Sequence, residues 1–161
     1  MKTIKTLLLS CILGLASCTP DPCLDVICLN DGVCDDGACL CADWYEGTDC
    51  STEERAKYYG DYIGTATFIN ASGDVSTSTD TIPVIANGSI LSELFMANGV
   101  PTILDVSGMG GFMIPLTAVS DPGGPTLNIS GYGSFDNNLL TVNATMEFTN
   151  STVEYTFTGT K

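Results

Sequence analysis

Cysteine is the residue whose number and spacing offer the most chemistry in this chain of 161 residues. All eight cysteines lie in the first 50 residues, and six of them, from Cys23 to Cys50, fall within 28 residues. An even set packed this closely predicts disulfide bonds, which form in oxidising compartments. A zinc site is disfavoured, because a single residue separates Cys39 from Cys41 whereas zinc sites use C-x-x-C pairs or histidine. The six cysteines can pair in many ways, and spacing alone does not choose among them.

The rest of the chain offers little catalytic chemistry. The sequence has no histidine, which removes the commonest general base, nucleophile pairs with Ser or Cys, and His-ligated metals. A hydrolase would need two carboxylates facing one cleft. The carboxylates after residue 60 mostly flank turns or occupy outward strand positions, and they are Asp61, Asp74, Asp80, Glu93, Asp105, Asp121, Asp136, Glu147 and Glu154. We therefore predict that the protein is not an enzyme, and the sequence indicates no cofactor and no metal site.

The charge balance limits the partners. Five Lys and Arg residues stand against 19 Asp and Glu, which gives a net charge of -14. A nucleic-acid-binding face must supply cations to displace counterions, so no nucleic acid partner is expected. Hydrophobic residues make up 44% of the chain, which is enough for a packed core and excludes global disorder.

The N-terminus has the pattern of an export signal. Lys2 and Lys5 precede an apolar run over residues 7–16, which is shorter than the roughly 20 residues that cross a bilayer. The following Leu15-Ala16-Ser17-Cys18 resembles the lipobox of bacterial lipoproteins. That resemblance implies a signal peptide over residues 1–17, cleavage before Cys18, diacylglycerol and a further acyl chain such as palmitate on Cys18, and a lipidated tether over residues 18–22. The alternative is an ordinary secretory signal with an incidental Cys18.

The later cysteines are spaced C-x4-C-x5-C-x4-C-x-C-x8-C. Residues 28–34 (CLNDGVC) follow a C-x-N-G-G-x-C stretch with Asp31 for the first glycine, and residues 41–50 follow C-x-x-G-aromatic-x-G-x-x-C with Trp44 for the first glycine. The pattern resembles EGF-like modules. The resemblance implies a module over residues 23–50 with the pairs Cys23–Cys34, Cys28–Cys39 and Cys41–Cys50.

The EGF-like pattern carries further expectations. Gly32 and Gly47 suit turns that need positive φ, and Trp44 in place of glycine is expected to alter its turn. Trp44 and Tyr45 are a candidate contact platform for a sugar or a partner chain, with packing of the module on the next domain as the alternative.

Calcium binding is not expected from this EGF-like pattern. Some EGF-like modules bind calcium just before the first cysteine, where this chain has Pro22 instead of an acidic or amide ligand. We interpret Asp31, Asp35 and Asp36 as a solvated acidic rim, although clustered carboxylates are the ligands that calcium prefers.

Residues 51–60 predict a short helical connector, because Ser51 and Glu54 have capping-box spacing. The following residues 61–161 predict an antiparallel β-domain. Leu140 to Thr149 and Val153 to Thr158 alternate apolar and polar residues, with a hairpin at Asn150-Ser151. The other predicted strands are residues 62–68, 75–85, 89–96, 101–106, 112–119 and 126–132, of which 90–96 (ILSELFM) also fits a helical turn.

The predicted fold class is mainly β, with a small disulfide-rich module and an antiparallel meander of about eight strands. The meander forms either a closed barrel or an open sandwich. Its size and up-and-down order resemble a lipocalin-like or calycin-like barrel in architecture.

The predicted function is non-catalytic binding or surface interaction, displayed from the bacterial cell envelope and anchored in the outer membrane on its periplasmic or surface face. Expected partners are the membrane, through the lipid, and a protein, a glycan or a small apolar ligand. The alternatives are a small apolar-ligand carrier and, less favoured, a carboxylate-dependent glycan hydrolase.

Overall fold

A computed structural model describes residues 20–97, 99–105, 109–120 and 126–161. The chain is mainly β, with a disulfide-rich N-terminal module followed by a closed eight-stranded antiparallel barrel. The fold class is therefore as predicted, and the closed barrel excludes the open sandwich. The predicted signal peptide and Cys18 lie outside the described residues, so the lipid anchor stays a prediction.

Three disulfides hold the N-terminal module together. They join Cys23 to Cys34, Cys28 to Cys39 and Cys41 to Cys50, the pairs that the sequence resemblance implies. Two small antiparallel ladders accompany them, and their strands are β1 (Val33–Asp35), β2 (Ala38–Leu40), β3 (Tyr45–Glu46) and β4 (Thr52–Glu53). The module buries few of its aliphatic side chains, so cross-links rather than a core stabilise it.

The turns of the disulfide module keep a glycine-like backbone at Trp44 and Asp31. These residues have φ of +72° and +61°, in the left-handed region that side chains with a Cβ rarely adopt. Trp44 therefore has a backbone conformation that usually favours glycine, and an altered turn at this position stays a prediction. Gly47 has the expected positive φ of +98°.

The expectation of a positive φ at Gly32 was wrong. Gly32 does not have a positive φ, and its requirement is space, since a Cβ there would lie 2.8 Å from the Sγ of Cys50.

The connector runs from β4 into a 3₁₀ helix over Glu54–Tyr58. Its N-cap is Glu53, without a side-chain capping bond, so the predicted capping box between Ser51 and Glu54 does not form. The helix is held instead by Arg55, whose side chain is buried, and by Tyr58, which packs into the barrel core.

The barrel contains every strand that the alternation predicted, with shifted ends. The strands are β5 (Gly60–Asn70), β6 (Val75–Ala86), β7 (Glu93–Met96), β8 (Val100–Leu104), β9 (Gly111–Ser120), β10 (Thr126–Asp136), β11 (Leu139–Phe148) and β12 (Ser151–Thr160). Each strand pairs with its neighbours along the chain, and β12 pairs with β5 to close the barrel. The segment with ambiguous helical pattern is turn at its start and strand from Glu93.

We call the end of the barrel beside the connector the closed end. Phe135 lies at its centre, with its ring 4.5 Å from Tyr58, 5.1 Å from Phe112 and 5.7 Å from Tyr62, measured between centroids. Phe157 is also buried in this core. Side chains along a strand alternate between its two faces. Of the inward positions that alternation predicted on β11 and β12, those that are buried are Leu140, Val142, Ala144, Tyr155 and Phe157.

We call the other end the open end, because the short strands β7 and β8 do not extend to it. β7 and β8 have four and five residues, whereas β6 and β9 have twelve and ten. Pairing between β6 and β7 begins only at Val84, and β8 pairs with β9 only at Ile103 and Leu104. Residues 75–82 of β6 therefore have a ladder partner on one side only within the described chain, which leaves a notch in the barrel wall.

Candidate functional site

The open half of the barrel encloses a cavity of about 270 Å³. All eight strands contribute to its lining, together with Ala97 at the tip of the β7–β8 hairpin. Its apolar lining includes Phe68, Ile82, Met96, Ile114, Leu127 and Met146. This volume is near the lower bound of about 300 Å³ for small-molecule sites, which are mostly apolar with few polar groups.

One carboxylate, that of Asp80, lines this apolar cavity. Asp80 lies opposite Gly64 in the β5–β6 ladder and two residues before the buried Ile82. Residues two apart on a strand face the same side, so Asp80 faces the barrel interior. Its side chain is exposed at the notch, and its Oδ1 accepts a hydrogen bond of 2.7 Å from the backbone N–H of Thr81.

Two aromatic rings line the same cavity as this carboxylate. Tyr155 and Phe68 are directly opposite each other in the β12–β5 ladder, and their ring centroids are 5.2 Å apart. Tyr155 is buried, and desolvation raises the pKa of its phenol, with a smaller contribution from the negative charge of Asp80. The phenol is therefore neutral at physiological pH and lies within the electrostatic reach of Asp80.

The closed end holds the cations of the described chain. Arg55 is 2% exposed and donates hydrogen bonds to the carbonyls of Gly88 (2.9 Å), Ile90 (2.6 Å) and Glu93 (2.9 Å). Its Nε donates to Glu53 at 2.8 Å, which is the main reason that the pKa of Glu53 is lowered.

The two lysines of the described chain lie at the same end. The Nζ of Lys161 donates to the carbonyls of Lys57 (2.6 Å) and Tyr59 (2.8 Å). No cation from the described chain lines the cavity.

The predicted contact platform is partly used in packing. Trp44 packs against the barrel core, and its carbonyl accepts a hydrogen bond of 2.8 Å from the N–H of Glu54. Tyr45 is half-buried and borders a separate depression with Cys41, Ala42 and Asp43. Trp44 therefore packs between the module and the barrel, which was the alternative to a contact platform. A contact role for Tyr45 stays a prediction.

The described residues provide neither a cluster of metal ligands nor, in the cavity, a pair of carboxylates for hydrolysis. Within the described chain, no three Cys, Asp or Glu side chains are placed to hold a metal ion. Among the described residues that line the cavity, Asp80 is the only carboxylate, so the cavity lacks the carboxylate pair that glycoside hydrolysis uses. The absence of enzymatic activity remains a prediction.

Asp80 is the residue that sequence reasoning missed as part of a site, since most of the carboxylates were assigned to turns or outward strand positions, whereas that of Asp80 lines the cavity. The inward positions of β6 read Ser76, Ser78, Asp80, Ile82 and Val84, so the inward face changes from polar to apolar along the strand. That change is the signal that could have identified it. Alternation predicted Tyr155 as an apolar inward position, whereas Phe68 was predicted only as the end of a strand. That the two rings meet was not predicted, because the pairing of β12 with β5 is not visible in the sequence.

Comparisons with protein-family models, with curated proteins and with solved structures found no match for this chain. In the part of the chain that the structure describes, no helix has the length and apolar character needed to cross a membrane.

Proposed function

We propose that the protein is a non-catalytic binding protein of the bacterial cell envelope whose barrel takes up a small apolar ligand. The observation that carries this proposal is the apolar cavity of about 270 Å³ in the open half of the barrel. Of the functions expected from the sequence, the small apolar-ligand carrier is the one that this cavity favours. The architecture supports a lipocalin-like assignment, and the disulfide pattern supports an EGF-like assignment for the module beneath it.

Access to the cavity supports a carrier. Short β7 and β8 leave the notch beside residues 75–82, so a ligand can enter without unpairing a strand. The closed end is filled by the rings around Phe135. Burial of ligand surface in the open half would contribute about 25 cal/mol for each Å² of apolar area removed from water.

Native mass spectrometry tests this function. A Cys18→Ser chain, purified without detergent, should carry or take up one small hydrophobe per protein. Met146→Trp places a large ring at a partly buried position in the cavity and should abolish this uptake. The matched control is Glu147→Trp, which adds the same ring to an exposed, outward position. Failure to bind any hydrophobe, or equal binding by both variants, would contradict the proposal.

The envelope location is a second part of the proposal, and it rests on residues 1–18 together with the disulfides. Three disulfides in a module with little core favour an oxidising compartment. Cys18→Ser should release the protein from the membrane fraction while leaving the barrel folded. Unchanged membrane fractionation of this variant would refute the lipid anchor, and it would leave the cavity function standing.

Contact with another macromolecule is a second candidate function. It is favoured by exposed aliphatic side chains on the disulfide module, of which Leu24 and Ile27 are 76% and 77% exposed. A chain with Leu24→Ser and Ile27→Ser should lose such a contact and keep the uptake of hydrophobes. Cross-linking on intact cells would compare the two chains, and identical cross-linked products would argue against this surface.

A further inference from the structure

We propose that the cavity selects amphiphilic amines, that is, ligands with an apolar body and a protonated amino head that is bound by Asp80 in the cavity that Phe68 and Tyr155 also line. This inference rests on the proposed function and adds the chemical class of the ligand.

The barrel has acidic residues but no basic ones. The sequence has no Lys, Arg or His between Tyr58 and Lys161, whereas it has nine Asp and Glu residues in the same interval. The interval contains the whole barrel, so no cation of the barrel can neutralise an acidic ligand. Taking a carboxylate out of water without a partner is costly, and Asp80 would add repulsion. Fatty acids are therefore poor ligands for this cavity.

The carboxylate of Asp80 can accept further hydrogen bonds. An ionised carboxylate has about four acceptor positions, and the structure shows Oδ1 bonded to the N–H of Thr81 with Tyr155 nearby. Capacity remains for N–H donors of a ligand. Since the carboxylate is exposed at the notch, it does not lose its hydration when the cavity is empty, and an incoming ammonium group can replace part of that water.

The cavity also has a pair of aromatic rings. Phe68 and Tyr155 line the same cavity as Asp80, with their rings tilted by 59°. Aromatic faces attract cations through the ring quadrupole, and cages of such rings bind ammonium groups. A carboxylate and two rings beside an apolar cavity therefore match the two parts of an amphiphilic amine, with the head at the notch and the chain inside.

Three probes with the same chain and different heads test this selection: octylamine, octanol and octanoate. Isothermal titration at pH 7 and low salt would compare them on the Cys18→Ser chain. Octylamine should bind about tenfold more tightly than octanol, because charge-assisted hydrogen bonds exceed neutral ones. Octanoate should bind most weakly. Added salt should reduce the advantage of octylamine, since exposed charges are screened.

Asp80→Asn removes the charge and keeps the shape, so octylamine and octanol should then bind about equally. Glu154→Gln is the matched control, because it removes one negative charge at an outward position next to Tyr155 and should leave the tenfold preference intact. Equal binding of amine and alcohol by the unaltered cavity, or a preference that survives Asp80→Asn, would overturn the amine selection while the apolar cavity function stands. If none of the three probes binds, the proposed function itself fails.

Discussion

At the closed end of the barrel, aromatic rings and a buried arginine fill the space between strands, whereas at the open end the same strands surround a cavity. The closed end also holds Arg55, Lys57 and Lys161, and the cavity is lined by a carboxylate with no described cation beside it. The contrast shows that a packed core and a cavity can occupy opposite ends of one barrel, and the proposed ligand binding is assigned to the cavity. We expect substitutions at the closed end to change stability and those at the open end to change binding.

The largest effect is expected at Arg55. Arg55→Ala would leave the carbonyls of Gly88, Ile90 and Glu93 without the guanidinium that bonds them, and should lower the free energy of unfolding by about 3–5 kcal/mol. Urea unfolding under non-reducing conditions measures this. The control is Lys57→Ala in the same 3₁₀ helix, whose ion pair with Glu54 is exposed and should contribute less than about 1 kcal/mol. Similar losses for the two variants would contradict the role given to Arg55.

Phe135 and Met146 compare the two ends directly. Phe135→Ala removes a ring that contacts three others in a filled core, and should cost about 3–4 kcal/mol of unfolding free energy. Met146→Ala enlarges a cavity that already exists and should cost about 1 kcal/mol or less, while weakening ligand binding. Equal losses of stability, measured in the same urea titrations, would show that the open half is as tightly packed as the closed half.

Stability at alkaline pH should depend on Tyr62. Burial raises the pKa of Tyr62 to about 12 from its ordinary value of 10.0, and its hydroxyl donates to the carbonyl of Tyr58. Below pH 10 the phenol is neutral in both folded and unfolded chains, so it adds no pH dependence. Between pH 10 and 12 the unfolded chain loses the proton first, so the free energy of unfolding should fall by up to about 2–3 kcal/mol.

Tyr62→Phe should remove this part of the alkaline slope, as unfolding titrations from pH 9 upward would show. A ligand in the open half should leave the Tyr62 titration unchanged, because the phenol is buried among rings at the closed end. An identical slope in the variant would mean that other groups cause it.

The smallest effect concerns Trp44, where packing and backbone strain oppose each other. Trp44→Ala and Trp44→Gly both remove the contact with the barrel core, but only glycine relieves the φ of +72°. Trp44→Gly should therefore be more stable than Trp44→Ala by about 1 kcal/mol. At the neighbouring Tyr45, which lies in β3 without a positive φ, the order should be reversed, since glycine weakens strands. The same order at both positions would contradict the strain assigned to Trp44.

Much of the fold could be predicted, because period-two patterns and turn residues are local. The strands with the clearest alternation, β11 and β12, were predicted within two residues at each end. The connector was predicted less well, since the capping spacing of Ser51 and Glu54 was outweighed by contacts of Arg55 with carbonyls more than 30 residues away. For the candidate site, the sequence indicated a small apolar-ligand carrier as one alternative, but neither Asp80 as the polar group of the cavity nor the position of the cavity.

The sequence by itself determined the closely spaced cysteines and their likeness to a known pattern, an antiparallel meander of about eight strands, and the absence of Lys, Arg and His between Tyr58 and Lys161. These are properties of composition and of near neighbours along the chain. Only the tertiary structure decided that the meander closes through β12 and β5, that β7 and β8 stop short of the open end, and that Asp80, Phe68 and Tyr155 meet. The physical reason is that closure and cavity formation depend on pairing between distant segments, whose register no local pattern specifies.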